Sequence, residues 1–350
     1  MKKPSKTVTL IAAGLMALGC VGASSSWAAK SKRVKVAYSK RPVVVKAYTP
    51  RPAAVARPAA TKRVLVMQSK SRVAVTAQPR PRMVLAKVEP QPELAANGDP
   101  ILHSAAVVVA DQSSGEVLFE KNSDAVLPIA SITKLMTAIV VLDAAQDLRE
   151  QLVVRDDDVD VLRGSRSRLA VGVDLSREDM LRLALMSSEN RAAHALGRHY
   201  PGGLRAFVAA MNRKSAELEL RDTHFSDPTG LSASNVSSAR DLVKMVVAAS
   251  KYPLIREFST TAEYAVVING RPREFHNTNA LVRNPGWEIG VSKTGFINEA
   301  GKCLVMQAWM ANRPMIIVLL DSWGKLTRIG DANRIKRWVE AVGLNARRSG

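Results

Sequence analysis

The chain has 350 residues, 47% of them hydrophobic, with 51 Lys and Arg against 31 Asp and Glu for a formal net charge of +20. That length allows one large domain or two small ones, and the apolar content is ample for a sizeable core. The charge is so unevenly placed that it excludes a uniformly basic protein: almost all of the excess sits in one N-terminal segment.

Residues 1–28 read as a secretory signal peptide. MKKPSK is a basic start, VTLIAAGLMALGCVGA an apolar core, and Ser26 and Ala28 stand at −3 and −1 of a small-residue cleavage site. The apolar run is shorter than the roughly 20 residues that a spanning helix needs. Ala17, before Leu18-Gly19-Cys20, argues against a lipoprotein signal. Cleavage removes Cys20 and leaves Cys303, in the apolar run CLVMQAWM, as a buried core thiol with no disulfide partner.

Residues 29–98 read as an arm. Positions 30–88 hold 16 Lys and Arg, no Asp or Glu, and otherwise mostly proline, alanine and valine. Like charges repel and proline withholds backbone donors, so an extended, disordered segment is expected. With 3 further cations in the signal, 32 of the 51 remain beyond residue 88, against all 31 acids. The domain is therefore nearly neutral. A secreted basic arm suits an anionic envelope polymer or the membrane surface rather than nucleic acid, and a plain solvated spacer explains it equally well.

Residues 99–350 read as one domain. AAVVVADQSSGEVLFEKN predicts a hairpin turning at Ser114-Gly115, and SITKLMTAIVVLDAAQ a helix. Residues 150–285 carry mostly helical signals, as in REDMLRLALMSSENRAAHALGRHY and SARDLVKMVVAAS. Short apolar runs return at KCLVMQAWMA and RPMIIVLLDSW, followed by a helix at about 328–344. Strands and a helix thus bracket a helical middle. The expected fold is α+β, an antiparallel sheet flanked by helices with an inserted helical subdomain.

The first chemical signal lies in PIASITKLMT. Ser131 and Lys134 share one helical face just after Pro128, where free backbone N–H groups can stabilise an oxyanion. An ammonium walled by Ile129, Leu135 and Met136 near a helix N-terminus loses stability, so Lys134 can be neutral enough to take the Ser131 proton. S-x-x-K alone is weak, and Ser322-Trp323-Gly324-Lys325 is a decoy that follows a strand in a glycine-containing turn. Two further triplets follow Ser131-x-x-Lys134 in order: Ser188-x-Asn190 and Lys293-Thr294-Gly295.

The ordered set resembles the signature of penicillin-binding proteins and active-site-serine β-lactamases. Each residue has a chemical role in that setting. Ser188 relays the proton from Lys134 toward the leaving amine, and Asn190 holds the lysine and the substrate amide. Lys293 adds positive charge, Thr294 bonds a substrate carboxylate, and Gly295 lets the substrate lie against its strand. The Phe296 N–H pairs with that of Ser131 as oxyanion donor.

Over about residues 100–345 the chain resembles the low-molecular-mass penicillin-binding proteins, the D-alanyl-D-alanine peptidases. ADQSSGEVLFEKNSDAVLPIASITKLMTA, FSDPTGLSASNVSSARDL and FHNTNALV carry the likeness. It implies a periplasmic serine D,D-peptidase acting on peptidoglycan peptides and acylated by β-lactams. Only 55 residues follow Gly295, and the second motif reads S-E-N-R-A-A, which resembles the endopeptidase branch. Carboxypeptidase activity is the near alternative, and a non-catalytic cell-wall-binding protein the more distant one. No E-x-x-L-N segment supplies a β-lactamase glutamate, and the histidines form no H-E-x-x-H site, so neither a cofactor nor a metal is called for.

Overall fold

The structure is a computed structural model that describes residues 94–324 and 326–348. The signal peptide and most of the arm lie outside the described residues. Residues 94–98, placed in the arm by composition, form a closed turn: Leu94 bridges Pro100 and Ala95 N donates to Asp99 O (2.8 Å). Gly98 O accepts from Trp338 Nε1 (3.1 Å), which ties this turn to the C-terminal helix.

The N-terminal hairpin is β1 (Ser104–Asp111) and β2 (Val117–Lys121). A two-residue β3 (Leu127–Pro128) leads into a 3-10 turn, Ala130–Thr133, and then α1 (Lys134–Asp143). The predicted helix over 131–146 thus starts as 3-10 and is α-helical only from Lys134. No side chain caps it at Ile129 or Thr133.

The middle is less purely helical than its patterns suggested. It holds the short hairpin β4 (Gln151–Val153) and β5 (Asp174–Ser176), then α2 (Arg177–Met186), α3 (Asn190–Arg198) and α4 (Gly203–Glu217). The strand β6 (Val236–Ser237) pairs with β3 and precedes α5 (Ala239–Ala249) and α6 (Pro253–Thr260). Ser176 and Ser238 cap α2 and α5 by accepting from Asp179 N and Asp241 N. A hairpin the helical reading missed follows: β7 (Glu263–Ile268) and β8 (Arg271–His276). Its turn, Asn269-Gly270, has φ of +52° and +73°, the left-handed pair that twists two strands together.

The chain ends in β9 (Glu288–Ile297), β10 (Gly301–Met310), β11 (Arg313–Ser322) and α7 (Thr327–Arg348). The five main strands form one antiparallel sheet in the order β2-β1-β11-β10-β9, built from both ends of the domain as expected. Strand periodicity divides the core. Ala106, Val108 and Ala110 face the helical middle, whereas Val107 and Val109 pack with Ile335 and Trp338 of α7. Burial on both faces explains the unbroken apolar run of β1. Strand β9 is an edge of this sheet, and its free side faces the helical middle.

Candidate active site

The segment Ile129–Ser131 is pressed between two glycines. Ala130 is left-handed (φ +47°). A Cβ on Gly230 (φ +78°) would stand 1.9 Å from Ala130 O, and one on Gly295 would stand 2.7 Å from Ile129 O. Gly295 therefore has no side chain because the backbone of Ile129–Ser131 occupies that space, a tighter reason than room for substrate.

Lys134 is fully buried and its Nζ donates to Ser131 Oγ (2.9 Å), Asn190 Oδ1 (2.7 Å) and Thr229 O (2.7 Å). Burial pushes its pKa down to about 7, while Asp227 and Glu189 pull the other way. Burial, rather than a neighbouring cation, is thus what frees the lysine of its proton. Lys293 is also buried, and its Nζ donates to Ser188 Oγ (2.9 Å) and Thr294 O (3.0 Å). Burial, then the charges of Lys134 and Arg328, hold its pKa well below the usual lysine range. Ser188, itself left-handed (φ +61°), is hydrogen-bonded to Lys293; the Lys134 ammonium bonds Ser131, Asn190 and Thr229 instead.

A cleft of about 260 Å³ is lined by Ser131, Ser188, Asn190, Thr278, Thr294, Gly295, Phe296 and Arg328. Thr294 Oγ1 donates to Thr278 Oγ1 (2.6 Å). Arg328 Nη1 donates to Gly295 O (3.0 Å) and Cys303 O (3.2 Å), and burial lowers its pKa. Arg328 thus brings a guanidinium to the wall of the cleft.

Four supports were not singled out in the sequence. Asp227 Oδ1 accepts from Thr229 N (2.6 Å) and Gly230 N (2.8 Å), its Oδ2 from Ser232 N (3.0 Å), and so shapes the loop that offers Thr229 O to Lys134. Asn235 joins that loop to Thr133 Oγ1 (3.0 Å). Asp160 accepts from Leu162 N, Arg163 N and Ser165 N, which sets a second loop. From it, Ser165 Oγ accepts from Asn190 Nδ2 (2.9 Å) and turns the amide oxygen toward Lys134. The decoy Ser322 is buried elsewhere, its Oγ 2.7 Å from Ser104 Oγ; Lys325 lies outside the described residues. His194 Nδ1 sits 2.7 Å from Asp158 Oδ1, a structural pairing.

Two expected results follow. Ser165→Ala frees the Asn190 amide and lowers the acylation rate by about tenfold, roughly the worth of one positioning hydrogen bond; stopped-flow measurement with a fluorescent penicillin checks it, and an unchanged rate removes Ser165 from the account. The acylation rate also depends on pH. Lys134 is protonated below about 7 and neutral above it, so the rate rises with pH through about 7 and then levels. A rate flat from pH 5 to 9 contradicts a lysine base.

A buried lysine bonded to a serine at the mouth of a helix, facing an edge strand, defines an active-site serine enzyme of the penicillin-binding fold. A family model described as D-alanyl-D-alanine carboxypeptidase matches residues 93–324, and the chain belongs to that peptidase family. It is 48% identical over 275 residues to a D-alanyl-D-alanine endopeptidase of Pseudomonas aeruginosa, covering 78% of this chain and 85% of that protein. It is 46% identical over 243 residues to the protein of the same description in Escherichia coli, covering 69% and 78%. Among solved structures, the Streptomyces K15 DD-transpeptidase matches with a TM-score of 0.64 at 27% identity, over 69% of this chain and 99% of that one.

Proposed function

We propose that the protein is a serine D,D-endopeptidase that hydrolyses D-alanyl cross-links of peptidoglycan. The observation that carries this is the 2.9 Å bond between the Lys134 amine and Ser131 Oγ within a fully buried setting. Ser131 Oγ attacks the D-alanyl carbonyl while Lys134 takes its proton, and the new C–O bond forms as charge collects on the carbonyl oxygen. The N–H groups of Ser131 and Phe296 receive that oxyanion. The tetrahedral intermediate collapses by breaking the C–N bond while the proton taken by Lys134 passes through the Ser188 hydroxyl, itself held by Lys293, to the departing nitrogen, which leaves Lys134 neutral and Ser188 unchanged. Water then hydrolyses the ester on Ser131.

An extended peptide adds to the free edge of β9, where main-chain groups supply affinity. Thr294 and Arg328 meet a substrate carboxylate, and Asn190 the substrate amide. The endopeptidase choice is supported by the descriptions of the two relatives named above. Digestion of purified cross-linked muropeptides tests it. Conversion of dimers to monomers is expected, release of single D-alanine instead would indicate a carboxypeptidase, and no cleavage would leave only a wall-binding protein.

The same reading places the enzyme in the periplasm after cleavage near Ala28, with the basic arm gripping an anionic envelope polymer. Removing residues 30–88 is expected to spare acylation and to weaken co-sedimentation with sacculi at low salt but not at high salt. Equal sedimentation of both forms at low salt would reduce the arm to a spacer.

A further inference from the structure

Three separate segments support the groups around Ser131, and one side chain joins them. The first is the loop set by Asp160, whose Ser165 Oγ accepts from Asn190. The second is the loop set by Asp227, which offers Thr229 O to Lys134. The third is the turn between β9 and β10, which follows directly on Phe296 and Ile297. Arg163 belongs to the first. Its Nε donates to Leu231 O of the second. Its Nη2 donates to Glu299 Oε1 of the third (3.0 Å), and its Nη1 lies 2.9 Å from Glu299 Oε2. Among the described residues no other hydrogen bond runs from residues 155–168 to residues 226–235 or 298–300.

The path of this side chain is set locally. Arg163 N donates to Asp160 Oδ1 (3.0 Å) and Ser165 N to Asp160 Oδ2 (2.8 Å), with the left-handed Gly164 (φ +63°) between them. The turn sends Arg163 to Leu231 while Ser165 meets Asn190 Nδ2 (2.9 Å). A guanidinium suits the junction, since its planar fork gives one donor to a carbonyl and two to a carboxylate, whereas lysine has a single nitrogen. The Arg163 side chain is 22% exposed and that of Glu299 48%. A pair this open adds little to global stability, so its weight falls on geometry. Besides Ser131 Oγ, Lys134 Nζ donates to Asn190 Oδ1 and Thr229 O, one acceptor governed from each of the two loops that Arg163 joins.

We propose that Arg163 is a positioning residue for the reaction at Ser131. By fixing the two loops to each other and to the β9–β10 turn, it keeps Asn190 Oδ1, Thr229 O and the Phe296 N–H in one arrangement around the serine–lysine pair. Its own bonds go to Leu231 and Glu299, so it acts through these neighbours and not on substrate. The inference rests on the serine-peptidase reading for its reaction, and not on which D-alanyl bond is cut. It has a consequence for the base. Acceptors that are held less firmly stabilise the Lys134 ammonium less, so its pKa falls from about 7 when Arg163 is removed. The charged groups facing Lys134 are Asp227 and Glu189, which raise its pKa, and Lys293; all three are retained in the variants below.

Two measurements test this. In the first, acylation by a fluorescent penicillin is followed by stopped flow from pH 5 to 9 in the parent, Arg163→Ala, Ser165→Ala, the double variant and Glu299→Gln. Arg163→Ala is expected to lower the plateau rate about tenfold and to move the pH midpoint below that of the parent. Independent tenfold losses at Arg163 and Ser165 multiply to about a hundredfold, whereas a shared path through Asn190 leaves the double variant well short of that. Glu299→Gln keeps the bond to Leu231 and is expected to lose about threefold; as an exposed change it remains folded even where Arg163→Ala does not. A hundredfold loss in the double variant overturns the proposal. So do parent-like rate constants and midpoints with only the burst amplitude reduced, which is what a purely structural role produces. In the second, lysines are labelled with carbon-13 at Cε, and the Lys134 resonance, identified by its loss in Lys134→Arg, is titrated by NMR without any substrate. A lower midpoint in Arg163→Ala than in the parent is expected. That result holds even if the parent is not acylated, which would count against the peptidase reading alone. Equal midpoints overturn the proposal.

Discussion

Lys134→Arg lowers the rate of acylation by benzylpenicillin by about a thousandfold while the protein remains folded. A positioned base typically contributes between about a hundred- and ten-thousandfold, and no other group is bonded to Ser131 Oγ among the described residues. Arginine keeps a cation and several donors for Asn190 Oδ1 and Thr229 O, so those acceptors are not stranded. What it loses is the ability to shed a proton, because guanidinium stays charged throughout the accessible pH range. Lysine in this position is different in kind: burial has already brought it to about 7. The comparison therefore isolates proton transfer from charge and shape. Acylation within tenfold of the parent, with thermal melts showing both proteins folded, would mean that Lys134 only fills space.

Gly230→Ala is expected to destabilise the protein by at least about 3 kcal/mol and to abolish acylation. Two costs combine. The residue is left-handed (φ +78°), and its new Cβ would stand 1.9 Å from Ala130 O and 2.9 Å from Ser131 N. Neither neighbour can rotate away, since both are backbone and Ala130 is itself in a strained conformation. The relief is to move Ser131. In a domain of this size the loss corresponds to a fall in Tm of roughly 6–12 °C. Gly115→Ala is the control. It has a similar φ of +75° but nothing within 4 Å, so it should cost only about 1 kcal/mol and leave acylation intact. Equal melting temperatures for the two variants would show that the close approach at Gly230 is not what holds Ser131.

The parts of this site that were legible in the sequence are the ones whose chemistry is written in adjacent letters. Ser131 and Lys134 sit one helical turn apart, so their meeting follows from local geometry. Lys293, Thr294 and Gly295 lie on one strand for the same reason. The sheet built from both chain ends was legible because unbroken apolar runs such as AAVVVA and IIVLL demand burial on two faces. What escaped was tertiary. Thr229 contributes only a carbonyl, which every residue has, and Ser165 acts on Asn190 from a loop whose path Asp160 sets. Arg328 enters the cleft from a helix that looked merely amphipathic. Lys293 was read as a source of charge; what the sequence did not show is that it is buried, with its pKa lowered, and donates to Ser188 Oγ. The β7–β8 hairpin was hidden for a different reason: its Asn269-Gly270 turn was a clear signal within a stretch dominated by helical periodicity.

The most direct test of the account is peptide mapping by mass spectrometry after brief exposure to benzylpenicillin. A single adduct is expected on the peptide containing Ser131 in the parent protein and none in Ser131→Ala. An adduct of equal yield in Ser131→Ala, or one mapped to another residue of the parent, would contradict it.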